Sequence, residues 1–257
     1  MPLNCFGQAL GRLTLLATLL LFPATGHPQL VVEGPHPLAR GRYEFRVGGK
    51  QVGFEDWKTF FTRDSFILAG NARITEPAVK YEFRFTMGTD FSPKELDIEL
   101  TLGSRKLAGT YEFSAEEAHQ VVTSSQSRSE RRVRMPTGYK ADFGSPLFNF
   151  HALHQQSFVR GQPKMFDVVS ISLPTLVASA TQQTYTYLGN EPLDRKGTKV
   201  DSRHFRFETS VDCQPYLAEI WTNADGMPLL IRRGSGASLE ETELVRMETL
   251  PRRRVAP

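Results

Sequence analysis

From Tyr43 onward the chain alternates apolar and polar side chains with a period of two. Tyr43, Phe45 and Val47 fall on one side and Glu44 and Arg46 on the other, the pattern of a strand with one dry and one wet face. Gly48-Gly49 follows as a hairpin turn, because the tight turns that suit twisted strands need positive φ. Val52, Phe54, Trp57 and Phe60 continue into a second strand, and the change of phase between Phe54 and Trp57 predicts a bulge near Glu55-Asp56. The clearest strand is Lys80–Met87, with Tyr81, Phe83, Phe85 and Met87 on one face and Lys80, Glu82, Arg84 and Thr86 on the other. Leu96, Ile98, Leu100 and Leu102 repeat the pattern against Asp97, Glu99 and Thr101. Further strands are predicted at Lys106–Phe113, His119–Thr123, Met165–Ile171, Thr184–Leu188, Arg203–Glu208, Tyr216–Trp221, Pro228–Arg233 and Glu241–Met247. Asn223-Ala224-Asp225-Gly226 separates two of these with residues that tolerate positive φ.

One stretch breaks the period. Leu147, Phe148, Phe150, Leu153 and His154 are spaced by three to four and follow Gly144-Ser145-Pro146, which predicts a short helix over 146–156 with Ser145 as its cap and Pro146 as its first residue. Thr123–Pro136 is polar and basic and reads as a loop or as a strongly solvated edge strand. Alternation on nearly every strand implies a mostly antiparallel sheet with one wet face. With so little helix to cover a flat sheet, the expected fold is mainly β: a strongly curved antiparallel sheet, half-barrel or barrel-like, plugged by the short helix. A β-sandwich is the alternative.

The carboxy-terminal third has a recognisable layout: Gly197-Thr198 leading into Arg203–Glu208, a strand ending at Trp221, the Asp225-Gly226 turn, and a return through Leu229-Leu230-Ile231. Together with the early Gly-Gly hairpin, the Leu147–His154 segment and the Met165–Ile171 strand, this resembles a family of uncharacterised bacterial periplasmic β-rich proteins. That family is similar in architecture to the half-barrel carriers that move lipoproteins across the periplasm. The resemblance implies a fold and a compartment, and it carries over no functional residue.

Composition narrows the setting. Of 257 residues, 40 % are hydrophobic and 23 % charged, and the eighteen Phe and seven Tyr supply flat apolar side chains for a core or a lipophilic pocket. A net charge of +3 is too small for a nucleic-acid field over the whole chain. Leu13–Pro23 is an unbroken apolar run flanked by Arg12 and followed by Ala24-Thr25-Gly26. It is too short for a membrane span, which takes roughly 20 residues, and reads as a cleaved signal peptide over 1–26; a retained amino-terminal anchor is the alternative. Cys5 precedes the apolar run and offers no lipidation site, and its removal would leave Cys213 without a disulfide partner. The expected organisation is a signal peptide at 1–26, a Pro-rich lead-in at 27–40, a single β-rich domain at 41–248 and a basic tail at 249–257, located in the periplasm or secreted.

Candidate chemistry is sparse. Tyr81, Phe83 and Phe85, with Phe148 and Phe150 from the helical segment, are core residues or the lining of a cavity that a curved sheet leaves unfilled. Arg128, Arg131, Arg132 and Arg134 could hold anionic head groups, or keep a loop solvated. His151 and His154 have a usable metal-ligand spacing on a helix, with Asp142 or His204 reachable only through the fold. No zinc signature accompanies them, and no metal or cofactor is assigned. Ser145 and Ser235 stand beside glycines but neither lies in a nucleophile elbow. The leading reading is an exported protein that binds or carries a lipophilic or amphiphilic molecule in a cavity of a curved sheet. Other envelope proteins are further candidate partners, and nucleic acid is not one. The alternatives are an outer-membrane barrel, an envelope scaffold, or an enzyme built around His151, His154 or His204.

The targeting reading is open to direct test. The exported protein is expected to begin at His27, and intact-mass measurement checks it; a mass that retains residues 1–26 refutes cleavage there.

Overall fold

The computed structural model describes residues 38–250, apart from 155, 196, 212 and 213. The apolar run Leu13–Pro23, residues 27–37, both cysteines and the arginines of the tail lie outside the described residues. Eight strands come first: β1 (Ala39–Val47), β2 (Lys50–Phe61), β3 (Phe66–Ile74), β4 (Val79–Met87), β5 (Pro93–Leu102), β6 (Arg105–Phe113), β7 (Glu117–Ser124) and β8 (Arg128–Arg134). A short β9 (Lys140–Asp142) leads to the helix α1 (Pro146–Leu153). Six more strands follow: β10 (Pro163–Ser172), β11 (Val177–Arg195), β12 (Thr198–Val211), β13 (Gln214–Thr222), β14 (Pro228–Arg233) and β15 (Glu240–Thr249).

All fifteen strands join one sheet, in the order β8-β7-β6-β5-β4-β3-β2-β1-β15-β14-β13-β12-β11-β10-β9. Pairing is antiparallel except between β9 and β10. The topology is two meanders joined where β15 returns beside β1. A single curved sheet with a short helix is the first of the two folds the alternation allowed, and it excludes the sandwich. The stretch 123–136 resolves as the edge strand β8, exposed along most of its length.

The register shows how the concave face is assembled. Trp57, Gly70, Phe83, Ile98 and Gly109 lie in one row across β2 to β6. Thr59, Leu68, Phe85, Leu96 and Tyr111 form the next row. Lys80, Glu82 and Arg84 face outward, with Arg84 opposite Asp97. The row also explains why β3 gives so little signal in sequence. Gly70 interrupts the apolar alternation in mid-strand, where a Cβ would come within 2.6 Å of the Phe83 ring. Glycine in mid-strand here marks close packing.

Strand β2 departs from its predicted phase. The register against β1 slips between Phe45 and Arg46, which leaves Val52 as the extra residue. The bulge thus falls before Phe54 and not at Glu55-Asp56. Glu55, Trp57 and Thr59 consequently point inward, while Phe54 turns outward beneath the Arg42 guanidinium at 4.4 Å. The Gly48-Gly49 hairpin is as expected, with φ of 55° and 81°.

The β11–β12 hairpin runs well past the predicted Thr184–Leu188 and Arg203–Glu208, because its outer half continues the ladder with polar residues. A register slip between Tyr187 and Gly189, where Gly189 has φ 132°, marks a bulge in it. Its tip reaches β15, where Arg195 donates to the Leu244 carbonyl and approaches the Glu243 carboxylate.

The sheet curls without closing its ladder. Tyr111 Oη donates to the Leu176 carbonyl at 2.5 Å, and the Ala178 amide donates to Gln120 Oε1 at 2.7 Å. These two side chains tie β6 and β7 to the start of β11, where hydrogen-bonded strands would close a true barrel.

Helix α1 plugs the inside. Ser145 caps it, with Leu147 N donating to Ser145 Oγ at 3.3 Å, and Pro146 is its first residue. The helix stops at Leu153, shorter than predicted, because the Asn223–Gly226 turn abuts its end. A Cβ on Gly226 would lie 2.9 Å from Leu153 and His154 backbone atoms. Leu147, Phe148 and Phe150 pack into the core of the first meander, and Ala152 and Leu153 into a smaller cluster with Tyr185, Phe205, Phe207 and Ile220. A helix that is apolar nearly all round belongs inside. Phe148→Ala is expected to lower unfolding free energy by about 3–5 kcal/mol, the usual cost of removing a buried Phe, as measured by denaturant melts. A loss below 1 kcal/mol would show that this ring does not anchor the helix.

Candidate functional site

The five aromatic residues singled out in the sequence do come together. Phe85 stacks on Phe148 with centroids 4.7 Å apart, Phe83 and Phe148 are 6.0 Å apart, and Tyr81 is 6.4 Å from Phe83. Phe143 wedges between them, 4.9 Å from Phe83 and 4.5 Å from Phe148. Phe150 closes the end of the cluster against Phe66 and Phe91. All five are at most 7 % exposed. Phe148 and Phe150 face inward as expected, and the space between them and the sheet is occupied by rings.

A buried carboxyl holds the helix there. Glu55 is fully buried; Oε2 accepts from Tyr81 Oη at 2.5 Å and Oε1 accepts from Ser145 Oγ at 2.7 Å. The same Ser145 oxygen caps α1, so one hydroxyl links the helix start to β2. Burial raises the Glu55 pKa to about 7, and the two hydrogen bonds only partly oppose that rise.

Open space lies on the other side of α1. A cavity of about 310 Å³ is bounded by Asp142, Gly144, Pro146 and Asn149 at the helix start and by the concave face of β11 to β15. Phe207, Ile220 and Ile231 give it an apolar floor. Thr209, Tyr216 and Thr242 lie on the same face and add polar groups, and Ser170, Ser172 and Ser179 stand at its side. Register places these residues together: Ile220 is opposite Ile231, Ile231 opposite Thr242, and Thr209 opposite Tyr216.

A polar chain runs along the helix side of this cavity. Asp142 Oδ2 accepts from Gln183 Nε2 at 2.5 Å, and Oδ1 accepts from the Gly144 amide at 2.7 Å. Tyr185 Oη donates in the same chain, lying 2.9 Å from Asn149 Oδ1 and 3.2 Å from Gln183 Oε1. Burial raises the Asp142 pKa against these stabilising bonds. The sequence draws attention to Asp142 only as a distant metal partner and passes over Gln183. Extending the inward parity of Tyr185 back by two positions would have found Gln183.

The remaining candidates are dispersed. Arg128, Arg131, Arg132 and Arg134 line the exposed β8 edge, where Arg132 pairs with Glu117 at 3.0 Å. His154 sits at the helix end with Nδ1 2.8 Å from the Asp225 carbonyl oxygen. His204 instead stacks on Trp221 at 4.3 Å and pairs with Glu191 at 2.7 Å. The side chain of His151 is outside the described residues. Ser145 is held by its cap and by Glu55. Ser235 leads into a single 3₁₀ turn.

This geometry defines the protein as an open half-barrel plugged by one helix. Comparison with known proteins agrees at the level of fold. The chain is similar to the β-barrel-like protein of domain of unknown function DUF1849 from Brucella abortus, with a TM-score of 0.57 over 84 % of this chain and 99 % of that one, at 8 % identity. Weaker similarity links it to a DUF1089 family protein from Pseudomonas aeruginosa (TM-score 0.46, 14 % identity, 70 % and 89 % covered) and to the hypothetical lipoprotein YmcC from Escherichia coli (0.34, 14 %, 84 % and 87 %). No family model matches the chain, and no curated protein matches its sequence.

The Glu55 carboxyl sets a pH dependence whose sign is fixed. Its folded pKa is raised, so the folded state binds a proton that the unfolded chain has released between pH 4.5 and about 7. Stability contributed by this group is therefore full below pH 4.5, falls as pH rises through that window, and levels off above pH 7. The total is about 3 kcal/mol. Glu55→Gln, which cannot titrate, is expected to flatten this part of the stability profile between pH 5 and 8 in denaturant melts. An unchanged slope would remove Glu55 as its source.

Proposed function

We propose that this protein is an exported envelope protein that binds an amphiphilic small molecule in the cavity between Asp142 and the concave face of β11 to β15. The observation that carries this reading is the cavity itself. Its volume of about 310 Å³ lies at the lower end of small-ligand sites. It combines an apolar floor with polar groups at one side, and it exists because α1 covers only part of the concave face. The aromatic cluster around Phe83 and Phe148 serves as the rigid wall that holds α1 in place. Export rests on the Leu13–Pro23 run and its small-residue site.

The outer-membrane alternative meets a physical objection. A lipid-embedded barrel needs an apolar outer band and no free strand edges. Here Arg42 and Asp56 form an ion pair on the convex face at 2.6 Å, and Lys80, Glu82 and Glu99 are exposed there. Both β8 and β9 end the sheet.

The test is equilibrium binding of the neutral probe N-phenyl-1-naphthylamine. The protein is expected to bind it saturably, and Thr242→Phe, which fills the cavity from β15, to weaken binding at least tenfold with an unchanged circular dichroism spectrum. No saturable binding by the native chain, or unchanged binding in Thr242→Phe, would overturn the reading.

A further inference from the structure

We infer that the cavity selects an amphiphile with a cationic, amine-bearing head, which Asp142 receives while the alkyl part lies on Phe207, Ile220 and Ile231. This rests on the proposed binding function and specifies its ligand.

Charge is the first argument. Asp142 is the one charged side chain among the described residues that line the cavity. Asp142 accepts three hydrogen bonds, from the Gln183 side chain and from the Gly144 and Phe143 amides. A carboxylate offers about four acceptor positions, so room remains for an ammonium group, which donates three hydrogen bonds and accepts none. An anionic head would meet the Asp142 charge with no lining Lys or Arg to offset it. The guanidinium of Arg233, which lies over the Tyr216 ring at 4.4 Å, is paired with Glu240 at 3.4 Å.

Neighbouring groups fit the same assignment. Gln183 is 5 % exposed, and its amide is already directed at Asp142. Asn149 Oδ1, beside Tyr185 Oη, adds a neutral acceptor on the same wall. The head end is thus rich in acceptors. At the other end Ile220 is fully buried, and Phe207 packs edge-on to Tyr216 at 5.9 Å. An apolar floor of this kind favours an alkyl chain over a second polar group.

Size sets the chain length. A volume of about 310 Å³ lies at the lower end of small-ligand sites and admits a short alkyl chain with a compact head. An eight-carbon chain with a one-atom head matches it.

Three ligands with the same chain separate head from tail: octylamine, octyl glucoside and octanoate. Each is measured on the full exported chain by displacement of the naphthylamine probe, below its own micelle concentration. Octylamine is expected to bind at least tenfold more tightly than octanoate. Asp142→Asn, which keeps one acceptor oxygen for the structural hydrogen bonds, is expected to reduce that preference at least fivefold. Octanoate binding as tightly as octylamine would overturn the head assignment and leave the amphiphile reading standing. A preference unchanged in Asp142→Asn would overturn it equally. Failure of all three ligands to displace a bound probe would overturn the head assignment, whereas absence of probe binding would take the binding reading with it. Should Asp142→Asn prove unstable by thermal melt, the ratio of octylamine to octanoate on the native chain decides alone.

Discussion

An eight-residue helix is set against the concave face of a fifteen-stranded sheet, and that mismatch shapes the rest of the molecule. At 1.5 Å per residue α1 is about 12 Å long. With strands about 4.8 Å apart, it spans two or three of them. Where it sits therefore decides which part of the face is dry, and its position is fixed from both ends. At the start, Ser145 joins the helix cap to the buried Glu55 of β2. At the end, the Asn223–Gly226 turn leaves no space for another turn of helix.

The two meanders consequently meet different fates. Over β2 to β6 the rings of Phe83, Phe85, Phe143 and Phe148 interlock, and each buried ring contributes on the order of 2 kcal/mol by leaving water. Over β11 to β15 the apolar contacts of α1 come from Ala152 and Leu153, small or slender side chains, beside the polar contact of Asn149 with Tyr185. Phe205 and Tyr185 are covered, while Thr209, Tyr216, Ile231 and Thr242 are left around open space. The cost of an unfilled cavity is offset by the density of the other half. The half-barrel thus has one flank packed with rings and one flank that keeps a cavity.

Much of this architecture was legible in the chain, and the gaps have physical causes. Period-two alternation found most strands because their outer faces are wet, and Ser145-Pro146 announced the helix through its cap chemistry. Alternation failed at β3, where Gly70 yields to the Phe83 ring across the sheet, a constraint that lies on another strand. It misplaced the phase of β2 because Glu55 is charged yet inward; the bond it makes to Ser145, 90 residues away, is invisible to a local pattern. The helix end was overrun for a similar reason, since Gly226 sets it from 73 positions downstream of Leu153. Parity says which face of a strand is covered, and only the fold says what covers it. The five aromatic residues could thus be grouped in sequence, while the cavity on the far side of α1 could not.

Curvature without closure explains why the cavity persists. In a closed barrel the interior is fixed by strand number and stagger, and side chains tend to fill a small one. Here closure between β6–β7 and the start of β11 depends on Tyr111 and Gln120 reaching main-chain groups, so the two flanks are joined by side chains whose length sets the gap. Arg195 plays a comparable part on the convex side, holding the tip of the β11–β12 hairpin to the Leu244 main chain. The free edges remain solvated, and β8 carries arginines that discourage edge-to-edge pairing. The sheet can then stay open at the Asp142 side, where hydrogen-bond acceptors stand beside an apolar floor.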